Sequence, residues 1–365
     1  MPPIIWIGLD VHKNSTTAAI LERDASDPQI VRLGADLNQL RKLLRKLAER
    51  GSPRVCYEAS GCGFVVHRVL ENDGFSCEVI APSLIPSRTG DRQKTDRRDA
   101  ANLVRLYRSG LLTPVHVPDE DQEAVRDLVR MHVARTKQIK VTKLRIHGLL
   151  LRQGHVYRDS SYWTKTHRAW LARLRRQLCG PAATILAAEL ELLEYLEAQL
   201  KAVDETIEAI ATQPPYRATV AALKCLRGVK TFTAMTIATE VGDIRRFSSA
   251  QKLMAWTGLV PSERSSGDRQ RHGPITKTGN VFLRRVLVEA AHNHRQRARS
   301  TLILDRRRSG QPPDVVSIAI KAQHRLSKRY WRLAARKHSN IAVTAVAREL
   351  AGFVWAIMNA AATAA

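Results

Sequence analysis

The chain has 365 residues, 44% hydrophobic and 25% charged, a composition that supports a buried core and excludes a disordered chain; at about 150 residues per domain its length suggests two or three domains. Its 59 Lys+Arg against 34 Asp+Glu give a net charge of +25, a field that attracts polyanions at long range and points to nucleic acid as the partner. The absence of an uninterrupted run of about 18 apolar residues argues against a membrane span, and an odd set of five cysteines without CxxC spacing argues against a disulfide framework or a zinc site.

In chain order, "IIWIGL" (4–9) is a continuous apolar run that suits a central strand and ends at Asp10. The β-rich runs "TTAAILE" (16–22) and "QIVRLG" (29–34) follow. "LNQLRKLLRKLAE" (37–49) carries apolar residues at helical spacing and stops at Gly51. "RVCYEA" (54–59) reads as a fourth strand ending in Glu58, "FVVHRVLEN" as a helix and "CEVIAP" (77–82) as a fifth strand. A last helix holds "KTDRRDAANL" (94–103), where a spacing of three sets Asp96 and Asp99 on one face.

Three strands, helix, strand, helix, strand, helix is the order of the ribonuclease H-like α/β fold, here over residues 1–118. It allows Asp10, Glu58, Asp96 and Asp99 to converge. Such an oxygen-rich set suits Mg²⁺ or Mn²⁺, and two ions about 4 Å apart serve phosphodiester displacement. Lys94, Arg97 and Arg98 would hold the anionic substrate there. Taken singly, each acid has a plainer use: an Asp at a strand end forms turns, and Asp96 beside Thr95 favours a helix N-terminus.

Residues 119–212 read as long helices. The first is basic; the second is acidic and repeats Leu192, Leu196, Leu200, Val203, Ile207 and Ile210 at coiled-coil spacing. Opposite charge favours their pairing, within the chain or between chains. Between them, "YWTKTHRAWLARLRRQL" (162–178) suits nucleic-acid contact and amphipathic packing equally. "QPPY" (213–216) suggests a boundary before a mostly helical domain, 213–365, in which Gly228 allows either a helix-hairpin-helix or a plain connection. The C-terminal apolar stretch is interrupted by Arg348 and Glu349 and reads as a packed helix.

"GLVPSERSSGDRQRHGPITKTGNVFLRRVL" (258–287) is expected to be a flexible basic loop leading into a helix. Arg264, Arg269, Arg271, Lys277, Arg284 and Arg285 would contact phosphates. The sharper reading has Ser265 or Ser266 attack phosphorus among those cations.

Together "IGLDVHK", "YEASG", "KTDRRDA" and the SSG-containing block resemble the DEDD transposases of the IS110 (IS110/IS1111-type) group of bacterial insertion sequences, in order and over nearly the whole chain. The resemblance implies a RuvC-like catalytic domain, a C-terminal serine-bearing transposase domain and a recombinase that cuts and rejoins donor and target DNA. It further implies guidance by a structured noncoding (bridge) RNA, and a homo-oligomer, dimer or tetramer, whose active site is shared between subunits. By motif, Asp10, Glu58, Asp96 and Asp99 become the metal-binding acids, for Mg²⁺ or Mn²⁺, and Ser266 the nucleophile, with Ser265 as the alternative. The same residues leave open a Holliday-junction-type endonuclease that uses water, or a non-catalytic nucleic-acid-binding protein. On every reading the expected location is the cytoplasm, without a membrane partner.

Overall fold

The computed structural model describes residues 2–86, 95–266 and 269–364. They form two compact units, Met1–Pro118 and Asp119–Ala365.

The first unit is a mixed five-stranded sheet flanked by helices. Strands β1 (Ile4–Val11), β2 (Ser15–Leu21) and β3 (Gln29–Gly34) make an antiparallel meander. Helix α1 (Leu37–Ala48) then carries the chain to β4 (Ser52–Glu58), parallel to β1, and α2 (Val65–Asn72) to β5 (Ser76–Ile80), parallel to β4. The resulting order is β3-β2-β1-β4-β5, consistent with a nuclease-like domain of the expected kind.

Each face of the sheet has its own cover. Leu40, Leu44 and Leu47 recur at helical spacing on α1 and pack with Val66 and Leu70 of α2 against Ile5, Ile7, Leu9, Val55 and Tyr57. Helix α3 (Asp96–Arg108) lies on the opposite face, where Ala100, Leu103, Val104 and Tyr107 meet Ala19, Leu21, Cys56 and Ile80. The helix approaches very closely at Gly8, where a Cβ would stand 2.8 Å from the Val104 nitrogen and 2.9 Å from the Ala100 carbonyl oxygen. Only glycine allows that approach, which fixes the height of α3 over β1.

The second unit begins with α4 (Glu120–Arg152), followed by α5 (Lys165–Gln177) and α6 (Gly180–Ala211). Ion pairs Arg145–Glu189 and Lys143–Glu197 and the contact of His132 with Asp204 descend one helix as they climb the other, so α4 and α6 form an antiparallel pair within the chain. The buried ridge of α6 is Leu186, Leu193, Leu196, Val203 and Ile207. Leu192, expected in the seam, is instead 40% exposed, because the ridge runs one residue later there.

Helices α7 (Tyr216–Leu223), α8 (Thr231–Val241) and α9 (Ala250–Trp256) lead to a hairpin of β6 (Pro261–Ser266) and β7 (Arg269–Ile275). Beyond it are α10 (Val281–Ala291), α11 (Leu302–Arg308), α12 (Pro313–Ala334) and α13 (Ser339–Ala364). One core runs through Val129 of α4, Val203 and Ile207 of α6 and the helices that follow, so it is continuous across residues 212 and 213. Helix α13 is long and apolar enough to cross a membrane by composition alone, yet half of that window is buried, with Val346, Leu350, Val354 and Ile357 in the core. All five cysteines are free.

Candidate active site

The C-terminal end of β1 delivers the first acid. Asp10 follows Leu9, which pairs with Tyr57 on β4, so Asp10 and Glu58 occupy equivalent places at the ends of two adjacent parallel strands. Alternation along the strands turns Leu9 and Tyr57 toward α1 and α2, and Asp10 and Glu58 toward the α3 face. At the start of α3, Thr95 is the N-cap, its hydroxyl accepting from the Arg98 amide at 3.4 Å. Asp96 and Asp99 therefore sit in the first turn, on the helix end that lies over β1.

His12 joins this group and was not anticipated from the sequence. Its Nε2 donates to Asp10 Oδ2 at 3.2 Å and lies 3.6 Å from Asp96 Oδ1. The ligand atoms of Asp10, His12 and Asp96 all fall within 4.8 Å of one another. The usable signal was the two-residue spacing in "DVH", which places both side chains on the same side of an extended chain. Asp99 is near enough for its charge to act on Asp10. Glu58 shares the face but is exposed, and its carboxylate is not in the tight group.

Burial pushes the Asp10 carboxyl above its usual range; His12 works against this, while the charges of Asp96 and Asp99 add to it. Among the described residues this partly buried carboxylate faces two more carboxylates and a single imidazole, and a hard dication is what this donor set fits best. Arg97 and Arg98 line a cleft beside Asp99 together with Asn102 and Arg105, and Arg105 also binds Asp27 at 2.8 Å. Lys94 lies outside the described residues.

The segment expected as a loop is a two-stranded hairpin in its described part. Its backbone ladder pairs Arg264 with Arg271, Ser265 with Gln270 and Ser266 with Arg269. Backbone hydrogen bonding makes these strands although they contain almost no apolar alternation, which is why the sequence pattern missed them. Gly267 lies outside the described residues, as do the side chains of Arg264, Ser265, Ser266 and Arg269. Arg271 and Lys277 are exposed.

The base of the hairpin is firmly held. The Lys277 amide donates to the Gly258 carbonyl at 3.1 Å and that of Thr276 to Val260 at 2.9 Å. Gly258 and Gly279, at φ 67 and 80, let the two segments cross where a side chain would strike backbone. The Arg284 guanidinium donates to the Thr257 carbonyl at 2.9 Å, bracing this crossing, and Arg285 pairs with Glu289 at 2.8 Å.

Behind the crossing lies a buried polar hub missed in the sequence. Glu240 of α8 accepts two hydrogen bonds from Arg130 of α4, at 2.8 and 2.9 Å, and one from the Asn280 amide at 2.6 Å. Asn280 is also the N-cap of α10, accepting from the Leu283 amide at 2.8 Å. Glu240 is the lone charge in "TFTAMTIATEV", and a single acid in an apolar helix was the signal available.

Comparison with known proteins matches residues 7–154 to a DEDD-type IS110 transposase family and residues 220–304 to a family described as "Transposase IS116/IS110/IS902 family". The chain is 38% identical to "Putative transposase y4qE" of Sinorhizobium fredii, over 98% of this chain and 89% of that protein. It is 32% identical to "Transposase for insertion sequence element IS1533" of Leptospira borgpetersenii, over 91% of this chain and 97% of the relative. Identity to "Transposase for insertion sequence element IS1111A" of Coxiella burnetii is 26%, over 83% of this chain and 78% of the relative.

Proposed function

Because the chain belongs to the IS110 family of insertion-sequence transposases, enzymes that act on DNA, we propose that it cuts and rejoins element and target DNA by serine attack at a RuvC-like acidic centre. The observation that carries this reading is the meeting of Asp10, His12 and Asp96 within 4.8 Å, with Asp99 beside them, at the end of β1.

In this reading Asp10, Asp96, Asp99 and Glu58 hold one or two Mg²⁺ or Mn²⁺ ions, with Glu58 drawn in by a ligand from its place beside Asp10. A bound dication supplies charge neutralisation at the scissile phosphate and makes the attacking hydroxyl more acidic. His12 orients the Asp10 carboxylate. Arg97 and Arg98 hold the DNA backbone, as do Lys94 and the hairpin cations Arg264, Arg269, Arg271 and Lys277. Arg284 acts chiefly through the hairpin base it braces, while Arg285, paired with Glu289 on α10, contacts phosphate.

The Ser266 hydroxyl, with Ser265 as the alternative, forms a bond to phosphorus as the P–O3′ bond breaks. The serine proton passes to solvent water and solvent returns one to the leaving 3′ oxygen, leaving a phosphoserine ester and a free 3′ hydroxyl. A 3′ hydroxyl of another strand reverses the step, so the ester's energy is conserved. Site choice rests on pairing with a noncoding guide RNA, in keeping with the basic composition. A dimer or tetramer completes the site from two chains, using the helical pair of α4 and α6, in the bacterial cytoplasm and without a membrane partner.

The test is a denaturation-resistant protein–DNA adduct, formed on element-end DNA with Mg²⁺ and guide RNA. Adduct lost in Ser266→Ala but kept in Ser265→Ala supports the reading, and the reverse moves the role to Ser265. Cutting that survives in both variants means that water is the nucleophile. DNA transactions unchanged in Asp10→Ala and Glu58→Ala would leave only a binding protein.

A further inference from the structure

We propose that His12 is itself a metal ligand, so that the centre at the end of β1 takes its divalent ion through one imidazole nitrogen as well as carboxylate oxygens and prefers Mn²⁺ to Mg²⁺ on that account. The inference rests on the acidic centre proposed above and goes beyond it, since there His12 only orients Asp10.

The ring is held in place before any ion arrives. His12 is the first residue past β1, its amide donates to the Ser15 carbonyl at 2.9 Å, and the preceding Val11 pairs with Thr16 of β2. Asp10 and His12 therefore leave one stiff strand end on the same side. Asp96 arrives from the first turn of α3, whose height over β1 is fixed at Gly8. Side chains carried on such elements keep their geometry better than side chains on loops.

Nε2 of His12 stands between two carboxylates from different elements, 3.2 Å from Asp10 Oδ2 and 3.6 Å from Asp96 Oδ1. In an octahedral site with bonds of about 2.1 Å, neighbouring ligand atoms lie about 3.0 Å apart and opposite ones about 4.2 Å. The three atoms, all within 4.8 Å of one another, are close to that spacing, and small side-chain turns would complete it.

A ring nitrogen between two carboxylates calls for a cation, which is a proton in the free protein and a metal ion in the loaded one, the proton then passing to solvent. A donor that only steadied Asp10 would have no need of Asp96. The His12 side chain is 53% exposed, and no partner of Nδ1 is found among the described residues, so water can take the Nδ1 proton and leave the Nε2 lone pair to the ion. Carboxylate oxygens suit Mg²⁺ and Mn²⁺ alike, whereas imidazole favours transition metals, and the mixed set tilts the centre toward Mn²⁺.

The experiment loads the full-length protein with substoichiometric Mn²⁺, without nucleic acid, and records electron spin-echo envelope modulation. The parent should show modulation from a directly bound nitrogen, altered when its histidines are labelled with ¹⁵N and lost in His12→Gln. The variant should also bind Mn²⁺ at least about tenfold more weakly, the smallest cost of removing even an outer partner of a metal ligand, while Mg²⁺ affinity, read by competition, falls less. Affinity alone would not separate a ligand from an orienting partner; the nitrogen coupling does. Bound Mn²⁺ without that coupling, or with the same coupling in His12→Gln, would overturn the proposal and leave His12 as a partner of Asp10 with the acidic centre intact. Mn²⁺ uptake unaffected by Asp10→Asn would instead strike the acidic centre itself, and this inference with it.

Discussion

Two acidic sites in this molecule are built in opposite ways. Glu240 is 1% exposed in its side chain and is satisfied by the fork of Arg130 and the amide of Asn280. Asp10 is 22% exposed, has one imidazole partner among the described residues, and faces the like charges of Asp96 and Asp99. The first arrangement neutralises its charge with protein groups and thereby ties α4, α8 and the start of α10 together. The second leaves negative charge without a further side-chain partner among the described residues, at the end of a stiff sheet, a situation that folding alone does not favour. A buried acid with all its donors supports the structure, whereas a crowded acid without them awaits a ligand.

The largest effects should separate the two sites by what is lost. Asp10→Asn is expected to reduce strand cleavage by roughly 10³-fold, the scale of several kcal/mol of lost transition-state stabilisation. Its melting temperature should stay unchanged or rise, because a like-charge contact is relieved. Glu240→Ala should do the reverse to stability, costing about 4 kcal/mol by leaving Arg130 and Asn280 unmatched. Calorimetry should then show an early transition for residues 119–365; a variant as stable as the parent would erase the contrast.

A third prediction concerns pH. Burial, with the charge of Arg227 nearby, pushes His294 down to about 4 from its ordinary 6.5. The folded state binds the proton less well than the unfolded one, so the stability from the neutral ring is complete above pH 6.5. It is lost as pH falls toward 4, by roughly 3 kcal/mol in all. Denaturant titrations of the parent and His294→Gln across that range should converge at low pH if this is right. Smaller again, Gly8→Ala should cost about 2 kcal/mol through overpacking against α3 and lower cleavage by lifting Asp96 and Asp99 off β1. Retained cleavage would mean that the height of α3 does not set the site.

The contrast also explains what was legible in the sequence. The strands of the first unit were readable because a sheet covered on both faces needs continuous apolar runs, as in "IIWIGL" and "RVCYEA". Asp10, Asp96 and Asp99 could be grouped because strand ends and a three-residue helical spacing constrain where side chains point. His12 was missed although it obeys the same strand alternation, since a lone His beside a turn has many uses. In the second unit β6 and β7 carry charges in place of an apolar face, so only backbone pairing makes them strands. The Arg130–Glu240–Asn280 hub joins residues 110 and 40 apart in sequence, and no local pattern encodes such a pairing. Leu192 misled because the seam on α6 shifts by one residue where α5 packs.

The most direct test of the central claim is Mn²⁺ binding to the full-length protein without nucleic acid, followed by the loss of the free-ion electron paramagnetic resonance signal. The parent should take up Mn²⁺ and lose the bound ion to excess Mg²⁺, while Asp10→Asn and Asp96→Asn bind far more weakly and remain folded. Equal uptake by the parent and both variants would contradict the account, because the ion would then have no need of the acids at the end of β1.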